Sequence, residues 1–444
     1  MSPSSLSGWG RTNASVATLR TPRNEADVVA EFASGERLIA RGLGRSYGDA
    51  AQLSGGVVLD NRALNTISPI SDDGVVTLGA GVSFDELLAV SIPRGWFVPV
   101  TPGTRQVTMG GALAADVHGK NHHVDGSLAM HVLSTRLVTP VGVFTLSPTE
   151  EPELFWATMG AMGLTGVITS VTLQMVAIET NQMLVDTDRF GDLESVMNAM
   201  STGDDDYRYS VAWVDCMTRG AHMGRAILTR GNHATTSDVK KVALKGPGKP
   251  RVSIPFQAPS GLLNRWSVRA FNELWFRSAP RHELDEAQSL TSFFYPLDGV
   301  ANWNLLYGRR GFVQYQFCVP DAMGDTVVDV IKRLSESRVA SFLAVLKRFG
   351  PGNPSPLSFP LSGWTLALDL PVGGDALPGV LDDLDALVVA AKGRVYLAKD
   401  ARLQAEKVHA MYPRLAEFRA VKARIDPNDQ LTSDLARRLD LVGT

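Results

Sequence analysis

A glycine-rich turn between two short apolar segments constrains the fold of this chain more than any other feature. The turn reads Arg41-Gly42-Leu43-Gly44-Arg45-Ser46-Tyr47-Gly48-Asp49, and strands are predicted on either side of it, at residues 38–40 and 57–60. Glycines let a backbone approach a ligand closely, and successive N–H groups in such a turn form an anion-binding concavity. Arg41 and Arg45 add charge-assisted donors for phosphate oxygens. The spacing fits neither GxGxxG before a long helix nor GxxxxGK[ST], which argues against nicotinamide Rossmann and P-loop sites.

Two further glycine-rich segments follow the first turn. The second spans residues 101–123 and the third spans residues 162–168. Small residues predominate in both, as expected where backbone lies flat against a large planar cofactor. Three of the eight histidines, at positions 118, 122 and 123, fall in the second segment. No carboxylate-plus-histidine pattern at helical spacing accompanies them, so no metal site is predicted.

Composition sets the class of protein. The chain has 444 residues, of which 44% are hydrophobic and 20% charged, so it is expected to fold into more than one domain. A net charge of −3 gives no pull toward nucleic acid. Only Cys216 and Cys318 are present, which excludes a disulfide framework, and both are expected to be buried thiols. No apolar run reaches the length of a transmembrane helix, and no signal peptide is predicted.

Strands and helices alternate along the chain, but not in a strict βαβ rhythm, so an α+β fold is predicted. Strands are expected at residues 75–78, 98–100, 167–176 and 395–398, and a hairpin at 133–146. Ser83 and Glu86 predict a helix that begins with a capping box. Residues 231–261 are expected to form a mobile loop whose stretch 240–251 holds five basic residues. After it, a helix carries one stripe of Leu263, Trp266, Ala270 and Leu274 and another of Arg265, Arg269, Arg277 and Arg281.

The three glycine-rich segments, in this order, resemble the vanillyl-alcohol-oxidase family, whose FAD-binding fold is called the PCMH type. Motifs at 349–353, 357–360, 396–402, 409–413 and 433–439 resemble more narrowly the decaprenylphosphoryl-β-D-ribose 2′-oxidase family. That family is the flavin half of an actinobacterial epimerase that makes the arabinose donor of the cell wall. The resemblance implies an FAD-binding domain at 1–180 and a substrate-binding domain at 181–393, built on an antiparallel sheet flanked by helices. Residues 394–444 would return to the first domain.

The resemblance also implies which residues hold FAD. They are Arg41, Gly42, Leu43, Gly44, Arg45, Ser46, Tyr47, Gly48, Gly103, Thr108, Met109, Gly110, Gly111, Ala115, Asp116, Val117, His118, Ile168 and Tyr396. Many relatives tether FAD through a histidine in the first turn. Here that position is Tyr47, which implies non-covalent FAD. Tyr396 has the alternative role of a core tyrosine. Ala367 stands where mycobacterial members carry a cysteine beside the flavin.

Two residues are candidates for catalysis. Lys399 is expected at a strand end as the cation that balances negative charge on the reduced cofactor, and its alternative is a solvated lysine facing Asp400. His118 is expected to handle the hydroxyl proton because imidazole titrates near working pH, and its alternative is an orienting residue. The substrate is expected to contact Lys399 together with Gln314, Gln316, Lys347 and Thr365. Trp213 and Phe312 are expected in the core.

The leading functional hypothesis is oxidation of the 2′-hydroxyl of a polyprenyl-phosphate ribose, with a short-chain reductase as partner subunit. One alternative is a soluble alditol or aldonolactone oxidase of the same fold. Another is a flavin-binding scaffold or redox sensor. Arg265, Arg269 and Arg277, together with the basic stretch 240–251, are a candidate surface for peripheral contact with anionic lipid, and the alternative is an ordinary solvated basic face. The family resemblance implies a place at the cell envelope, periplasmic or membrane-associated. It leaves the side of the membrane open.

Overall fold

The computed structural model describes residues 3–442 except 241, 249, 251, 260, 338, 340 and 342. Among them the strands are β1 Pro3–Ser7, β2 Ala14–Arg20, β3 Leu38–Arg41, β4 Val57–Asp60, β5 Val75–Gly79, β6 Trp96–Phe97, β7 Val132–Thr139, β8 Gly142–Leu146, β9 Val167–Gln174, β10 Val176–Ala177, β11 Gln182–Phe190, β12 Tyr209–Val214, β13 Ala226–His233, β14 Val252–Ser253, β15 His282–Ser289, β16 Val300–Ala301, β17 Phe312–Pro320, β18 Ala344–Phe349, β19 Gly363–Pro371 and β20 Arg394–Val395.

The helices of the same residues are α1 Glu25–Phe32, α2 Phe84–Ser91, α3 Met109–Ala114, α4 His122–Asp125, α5 Pro152–Thr158, α6 Leu193–Gly203, α7 Arg265–Ser278, α8 Leu290–Phe294, α9 Asp325–Ser337, α10 Ala376–Ala390, α11 Ala405–Met411, α12 Leu415–Ile425 and α13 Asp434–Arg438. None of these helices is long and apolar enough to cross a bilayer.

Two four-stranded sheets form the N-terminal part. The first has the order β1-β2-β4-β3, in which β4 is parallel to both of its neighbours. The second, β5-β9-β7-β8, is antiparallel throughout. The hairpin of β7 and β8 and the capping box of α2 are confirmed: the Ser83 side chain accepts from the Glu86 N–H, and the Glu86 carboxylate accepts from the Ser83 N–H at 2.8 Å.

An eight-stranded sheet forms the second half, in the order β15-β11-β13-β12-β18-β19-β17-β20. Each strand is antiparallel to its neighbours. The helices α9 and α10 pack against each other, and the Tyr315 hydroxyl on β17 donates to Asp385 of α10 at 3.1 Å. Because side chains alternate across a strand, residues 314 and 316 lie on the opposite face, away from α10. The mixture of helices and antiparallel sheets confirms the α+β class.

The C-terminal segment packs on the N-terminal sheets. Leu431 bridges Leu38 in parallel, and α12 packs against α5. Arg438 pairs with Asp49 at 2.8 Å, directly after the first glycine-rich turn. These contacts agree with a segment that returns to the first domain, while the domain boundaries at 180 and 393 stay a prediction.

Three local predictions were wrong. Residues 98–100 are not a strand, because the short strand β6 ends at Phe97, where its pairing with β10 ends. The strand expected at 395–398 ends at Val395, and a turn begins after it. In the expected loop 231–261, the first three residues belong to β13, and β14 pairs with β16. Its basic residues 241, 249 and 251 lie outside the described residues.

Candidate active site

The first glycine-rich turn follows β3 and leaves its amides unused. The four consecutive N–H groups of residues 43–46 form no hydrogen bond within the part of the chain that the structure describes. The side chain of Arg41 supports the turn from inside, donating to the Ser7 carbonyl at 2.7 Å and the Ala51 carbonyl at 2.9 Å. The Arg41 guanidinium thus holds the backbone around the turn, and the predicted contact of Arg41 with FAD stays a prediction.

Two glycines bring other segments against this turn. A Cβ on Gly42 would overlap the Thr108 hydroxyl, and a Cβ on Gly48 would overlap the Asp400 carbonyl oxygen. Thr108 caps α3 by accepting from the Gly111 N–H at 3.3 Å. The turn, the second glycine-rich segment and the turn at 396–400 therefore meet in one place, as the resemblance implies.

The second segment has a packed half and an open half. Met109 is buried, and Gly110 packs on Ala80, whereas Gly103 and Gly111 are exposed. Ala115 and Val117 are buried in the core, as is Ile168 after the third segment. Exposed glycine backbone beside buried apolar side chains is the flat surface that a planar ring requires.

Asp116 is bound to other protein groups. Its carboxylate accepts from the Asn353 amide at 2.6 Å and from the Ser358 hydroxyl at 2.5 Å. It is fully buried, and burial raises its pKa against the effect of those hydrogen bonds. Asp116 therefore ties the second segment to residues 353–358, and its predicted contact with FAD stays a prediction.

These segments fit FAD on their own geometry. The amides of residues 43–46 are open, and the buried Nε of Arg45 has no hydrogen-bond partner among the described residues. Donors of this kind match the pyrophosphate, since backbone N–H groups and guanidinium nitrogens both bind phosphate oxygens. Arg45 also lies 3.8 Å from the centroid of the Trp9 ring, which fixes its position.

One face of the eight-stranded sheet, which we call the site-facing side, carries the predicted substrate residues. They lie in rows that run across neighbouring strands. Gln316 lies opposite Ala367, which lies opposite Val345, and Val345 lies opposite Trp213. Opposed residues of antiparallel strands share a face. Trp213 is half-buried on this face, so its predicted place in the core was wrong, whereas Phe312 is fully buried as predicted.

The next rows hold Lys347 and Thr365, then Gln314 and Asp369. The Thr365 hydroxyl donates to the Phe317 carbonyl at 2.8 Å and accepts from Gln316. The Gln314 amide donates to Asp369. Thr365 and Gln314 are therefore bound to protein groups, and their predicted contacts with the substrate stay a prediction. Both position the side chains around them.

His118 joins the second glycine-rich segment to this sheet face. The Gln316 amide nitrogen lies 2.9 Å from His118 Nε2, and since that nitrogen donates, Nε2 accepts and the proton sits on Nδ1. His118 Nδ1 is buried without a partner among the residues described. Burial, together with the charges of Lys347, His122 and Lys399, lowers the pKa of His118 well below its ordinary value. The premise that His118 titrates near working pH was wrong.

We expect His118→Gln to lower the rate of flavin reduction without changing the shape of its pH dependence. A group whose pKa lies far below the ordinary histidine range stays neutral across the working range, so removing it removes no titration there. Rapid-mixing measurements of flavin reduction from acid to alkaline pH test this, with the exposed His409→Gln as the matched control. An acid limb that flattens in His118→Gln alone would restore imidazole as the proton acceptor.

Lys399 lies in the turn after β20, which a hydrogen bond from its N–H to the Tyr396 carbonyl closes at 2.9 Å. Its Nζ lies 4.1 Å from the centroid of the Tyr47 ring. Burial lowers the pKa of Lys399, and the carboxylate of Asp369 opposes that shift. Asp400 pairs instead with Arg438 at 2.8 Å, so the alternative of a lysine paired with Asp400 was wrong.

Asp369 is fully buried, and sequence reasoning missed it. Besides the Gln314 amide, it accepts from the Tyr307 hydroxyl at 3.5 Å. Burial raises the pKa of Asp369, and the charge of Lys399 lowers it in turn. The carboxylate and the ammonium therefore compete for protons, which is how proteins hold a titratable pair near neutral pH. Because alternate residues of a strand share a face, the even spacing of Asp369 from Thr365 on β19 could have revealed it on the site-facing side.

Two further half-buried lysines lie in this part of the structure. Burial lowers the pKa of Lys347 to about 8. Burial and the charge of Lys347 lower the pKa of Lys120 to about 7, and the Lys120 ammonium donates to the Phe293 carbonyl. Lys120 was not among the predicted site residues, although it stands two positions after His118. The charge of Lys347 acts on both His118 and Lys120, and this grouping of half-buried cations indicates a cleft for an anionic group.

The hydroxyl and the ring of Tyr396 both contact other protein groups. Its hydroxyl donates to the Ala115 carbonyl at 2.7 Å, and its ring stacks on Phe359 with centroids 4.7 Å apart. These contacts favour the alternative of a core tyrosine, and the predicted FAD contact stays a prediction. Tyr396 still fixes the backbone of the second segment beside His118.

Comparison with known proteins identifies the chain. Residues 16–147 match the FAD binding domain family. A decaprenylphosphoryl-beta-D-ribose oxidase from Mycolicibacterium smegmatis is 42% identical over 98% of this chain and 97% of its own length. The chain belongs to this oxidase family. The decaprenylphosphoryl-ribose oxidase resemblance is thereby confirmed, the cofactor is FAD, and the chain is an FAD-dependent oxidoreductase.

Two further relatives are similar to this oxidase-family chain over smaller shares of its length. An uncharacterized protein from Streptomyces coelicolor is 38% identical over 81% of this chain and 100% of its own length. Cytokinin dehydrogenase 8 from Oryza sativa subsp. indica is 32% identical over 31% of this chain and 28% of its own length. Similarity to the decaprenylphosphoryl-ribose oxidase therefore extends much further along the chain than similarity to the plant enzyme.

We expect acid or heat denaturation of this oxidase-family chain to release all of its flavin into the supernatant. The first turn holds no histidine or cysteine, and the Tyr47 ring packs edge-on against Phe312 at 5.3 Å. Tyrosine here offers no imidazole for a covalent link. Flavin absorbance of the pellet and supernatant after precipitation measures the outcome, and colour that stays with the precipitated chain would contradict it.

Proposed function

We propose that the protein oxidises the 2′-hydroxyl of decaprenylphosphoryl-β-D-ribose, or a related polyprenyl-phosphate ribose, to the 2′-keto form. This is the first half of an epimerisation that yields the arabinosyl donor for cell-wall arabinan. The single observation that carries the proposal is the 42% identity to a decaprenylphosphoryl-beta-D-ribose oxidase across nearly the whole of both chains. The cleft described above supports it, since it combines groups for an anion and for a sugar.

Bound FAD supplies the acceptor for the hydride that leaves the oxidised carbon. In our proposal the turn at 42–48, with the side chain of Arg45, holds the pyrophosphate of FAD. The open backbone of Gly103 and Gly111 lies along the cofactor. The cation cluster of Lys120 and Lys347 binds the substrate phosphate. Both lysines are half-buried and carry lowered pKa values, so an anion beside them restores their charged forms.

Gln316 and His118 orient the ribose. The amide nitrogen of Gln316 bridges His118 Nε2 and Thr365 Oγ1. The carbonyl oxygen of Gln316 and the Nδ1–H of His118 are therefore the polar groups of this pair that are left for a ligand. A sugar hydroxyl donates to one and accepts from the other. His118 serves in this arrangement as a positioning residue, because its Nε2 accepts from Gln316 and burial lowers its pKa well below the ordinary value.

The hydroxyl proton goes to Lys399. Burial lowers the pKa of Lys399, which makes the neutral amine available as acceptor. After accepting the proton, Lys399 carries a positive charge, which balances the negative charge carried by the two electrons of the hydride. The carboxylate of Asp369 stabilises the charged lysine. Charge balance is kept, since carbon loses a hydride while oxygen loses one proton.

The chemistry also defines the partners. A 2′-keto sugar phosphate must be reduced to complete an epimerisation, so a short-chain reductase is the proposed partner subunit. The lipid-borne substrate places the protein at the cell envelope, in peripheral contact with membrane lipid.

Anaerobic mixing with farnesylphosphoryl ribose tests the function. We expect the flavin absorbance to bleach and one 2′-keto product to form for each flavin reduced. Free alditols and aldonolactones are the matched comparison: bleaching by these alone would make the protein a soluble polyol oxidase. A flavin that no substrate bleaches would leave a scaffold or redox-sensing role and overturn the proposal.

A further inference from the structure

The helix α7 turns most of its apolar side chains away from the protein. Trp266 is 65% exposed and Leu274 is 72% exposed, and the Phe271 and Trp275 rings beside them stack with centroids 6.1 Å apart. Of the fourteen residues of α7, the chain buries only Val268 and Asn272. An apolar stripe at intervals of four normally faces a core. Here it faces outward.

The exposed aromatic side chains are confined to one part of the molecule. Within the described residues, every exposed Phe or Trp side chain lies between positions 256 and 275: Phe256, Trp266, Phe271 and Trp275. Leu262, directly before α7, is also exposed, and its carbonyl accepts from Ser267 at 2.7 Å. A contiguous exposed apolar surface of this kind marks an interaction site.

Positive charge accompanies the apolar stripe. Arg265, Arg269 and Arg277 are exposed on the same helix, and the guanidinium of Arg265 lies 4.6 Å from the centroid of the Trp266 ring. A groove of about 460 Å³ beside the first turns is lined by Arg219, Arg265 and Arg269. The chain as a whole carries a net charge of −3, so this local excess of arginine is not a general property of its surface.

The acidic groups around α7 are few and lie toward its C-terminal end. Glu273 pairs with Arg225 at 2.7 Å and with Arg277. The strand β15 begins four residues after α7 and exposes Glu283, Asp285 and Glu286. The N-terminal half of the helix is therefore the half with uncompensated positive charge, and it would face an anionic partner.

We infer that α7 binds the protein to the surface of an anionic lipid bilayer, with its aromatic and leucine side chains in the interface and its arginines at the headgroup phosphates. Tryptophan beside arginine is typical of helices that lie in this interface. A helix with only two buried residues stands out from the protein, and a fluid bilayer conforms to such a ridge. The inference names the surface for the lipid contact proposed above, and it rests on the proposed function only for its purpose.

Vesicle sedimentation of the full-length holoprotein tests the inference. We expect binding to phosphatidylcholine vesicles that contain phosphatidylglycerol, and much weaker binding to phosphatidylcholine alone. Arg265→Gln combined with Arg269→Gln should weaken binding by about fivefold for each arginine. Trp266→Ser combined with Leu274→Ser should weaken it by at least about tenfold, since two exposed apolar side chains no longer enter the interface.

Matched variants elsewhere on the surface are the controls. Met130 and Val141 are exposed apolar side chains on the N-terminal half, and Arg37 is an exposed arginine near the C-terminal segment. Met130→Ser with Val141→Ser, and Arg37→Gln, should bind vesicles like the parent protein. Equal losses in these controls would overturn the assignment of α7.

Two further results would overturn the inference. One is a parent protein that does not bind anionic vesicles. The other is sedimentation of the free protein as a dimer that Trp266→Ser with Leu274→Ser dissociates, because a second copy would then cover the helix. Turnover of the soluble farnesylphosphoryl ribose should be equal in the parent and all α7 variants. Its absence in the parent would count against the proposed function and leave the vesicle result to stand alone.

Discussion

Lys399→Ala should keep its FAD and lose most of its rate of flavin reduction. The amides of residues 43–46 and the Arg45 side chain do not depend on Lys399, so FAD content should stay at the parent level. The reductive step should slow by about 10²–10³, the usual loss when one preorganised charge partner is removed. The same substitution also removes the proposed proton acceptor.

Lys399→Arg separates charge from proton transfer. A guanidinium keeps the positive charge beside Asp369 but does not deprotonate in proteins, so we expect only part of the lost rate to return. The ratio of flavin to protein absorbance gives FAD content, and anaerobic rapid mixing gives the rate. Lys332→Ala, an exposed lysine on α9, is the matched control. A Lys399→Ala protein that reduces its flavin at the parent rate would remove Lys399 from the mechanism.

Gly48→Ala should weaken FAD binding more than any other single methyl group added to the first turn. The new Cβ would overlap the Asp400 carbonyl oxygen and lie 2.8 Å from the Ala401 Cα. Both neighbours are backbone atoms, so no rotamer change relieves the clash, and overpacking of this kind costs about 1–3 kcal/mol. If the turn shifts to accommodate the methyl group, the FAD dissociation constant rises by about 10- to 100-fold.

FAD titration of the apoprotein, followed by flavin fluorescence, measures that change. The control is Gly379→Ala on α10, where an added Cβ meets nothing within 4 Å and alanine favours the helix. Gly379→Ala should bind FAD like the parent and melt at the same or a higher temperature. Equal FAD affinity in Gly48→Ala would show that residues 400–401 do not constrain the turn.

Features set by neighbouring residues were predictable from the sequence. The capping box of α2 needs only Ser83 and Glu86, and the β7–β8 hairpin needs only alternation around its turn. The first glycine-rich turn was visible for the same reason. The side chains that contact the ligand were less predictable, because the partners of Arg41 and Asp116 lie 34 and 242 residues away in the sequence.

Ionisation could not be read from residue types. His118 and Lys399 have ordinary sequence surroundings, yet burial lowers both pKa values. The charge of Lys399 adds to the shift of His118, and the carboxylate of Asp369 opposes the shift of Lys399. Spacing along β19 could place Asp369 on the site-facing side, but its position opposite Gln314 follows only from the pairing of β17 with β19. The stripe on α7 was recognised from its spacing, but spacing alone does not say whether a stripe meets a core or the outside. In α7 the structure gives the answer.

The pairing of Arg438 with Asp49 has a consequence for how the protein is made. The two residues are 389 positions apart, and Leu431 reaches β3 across a similar distance. A ribosome adding about 5–20 residues per second needs about 20–80 s to deliver the second partner after the first. During that time the nascent turn lacks the segment that closes it. We therefore expect cofactor loading to be a late step in biogenesis that follows chain release, rather than a seed around which the N-terminal half folds.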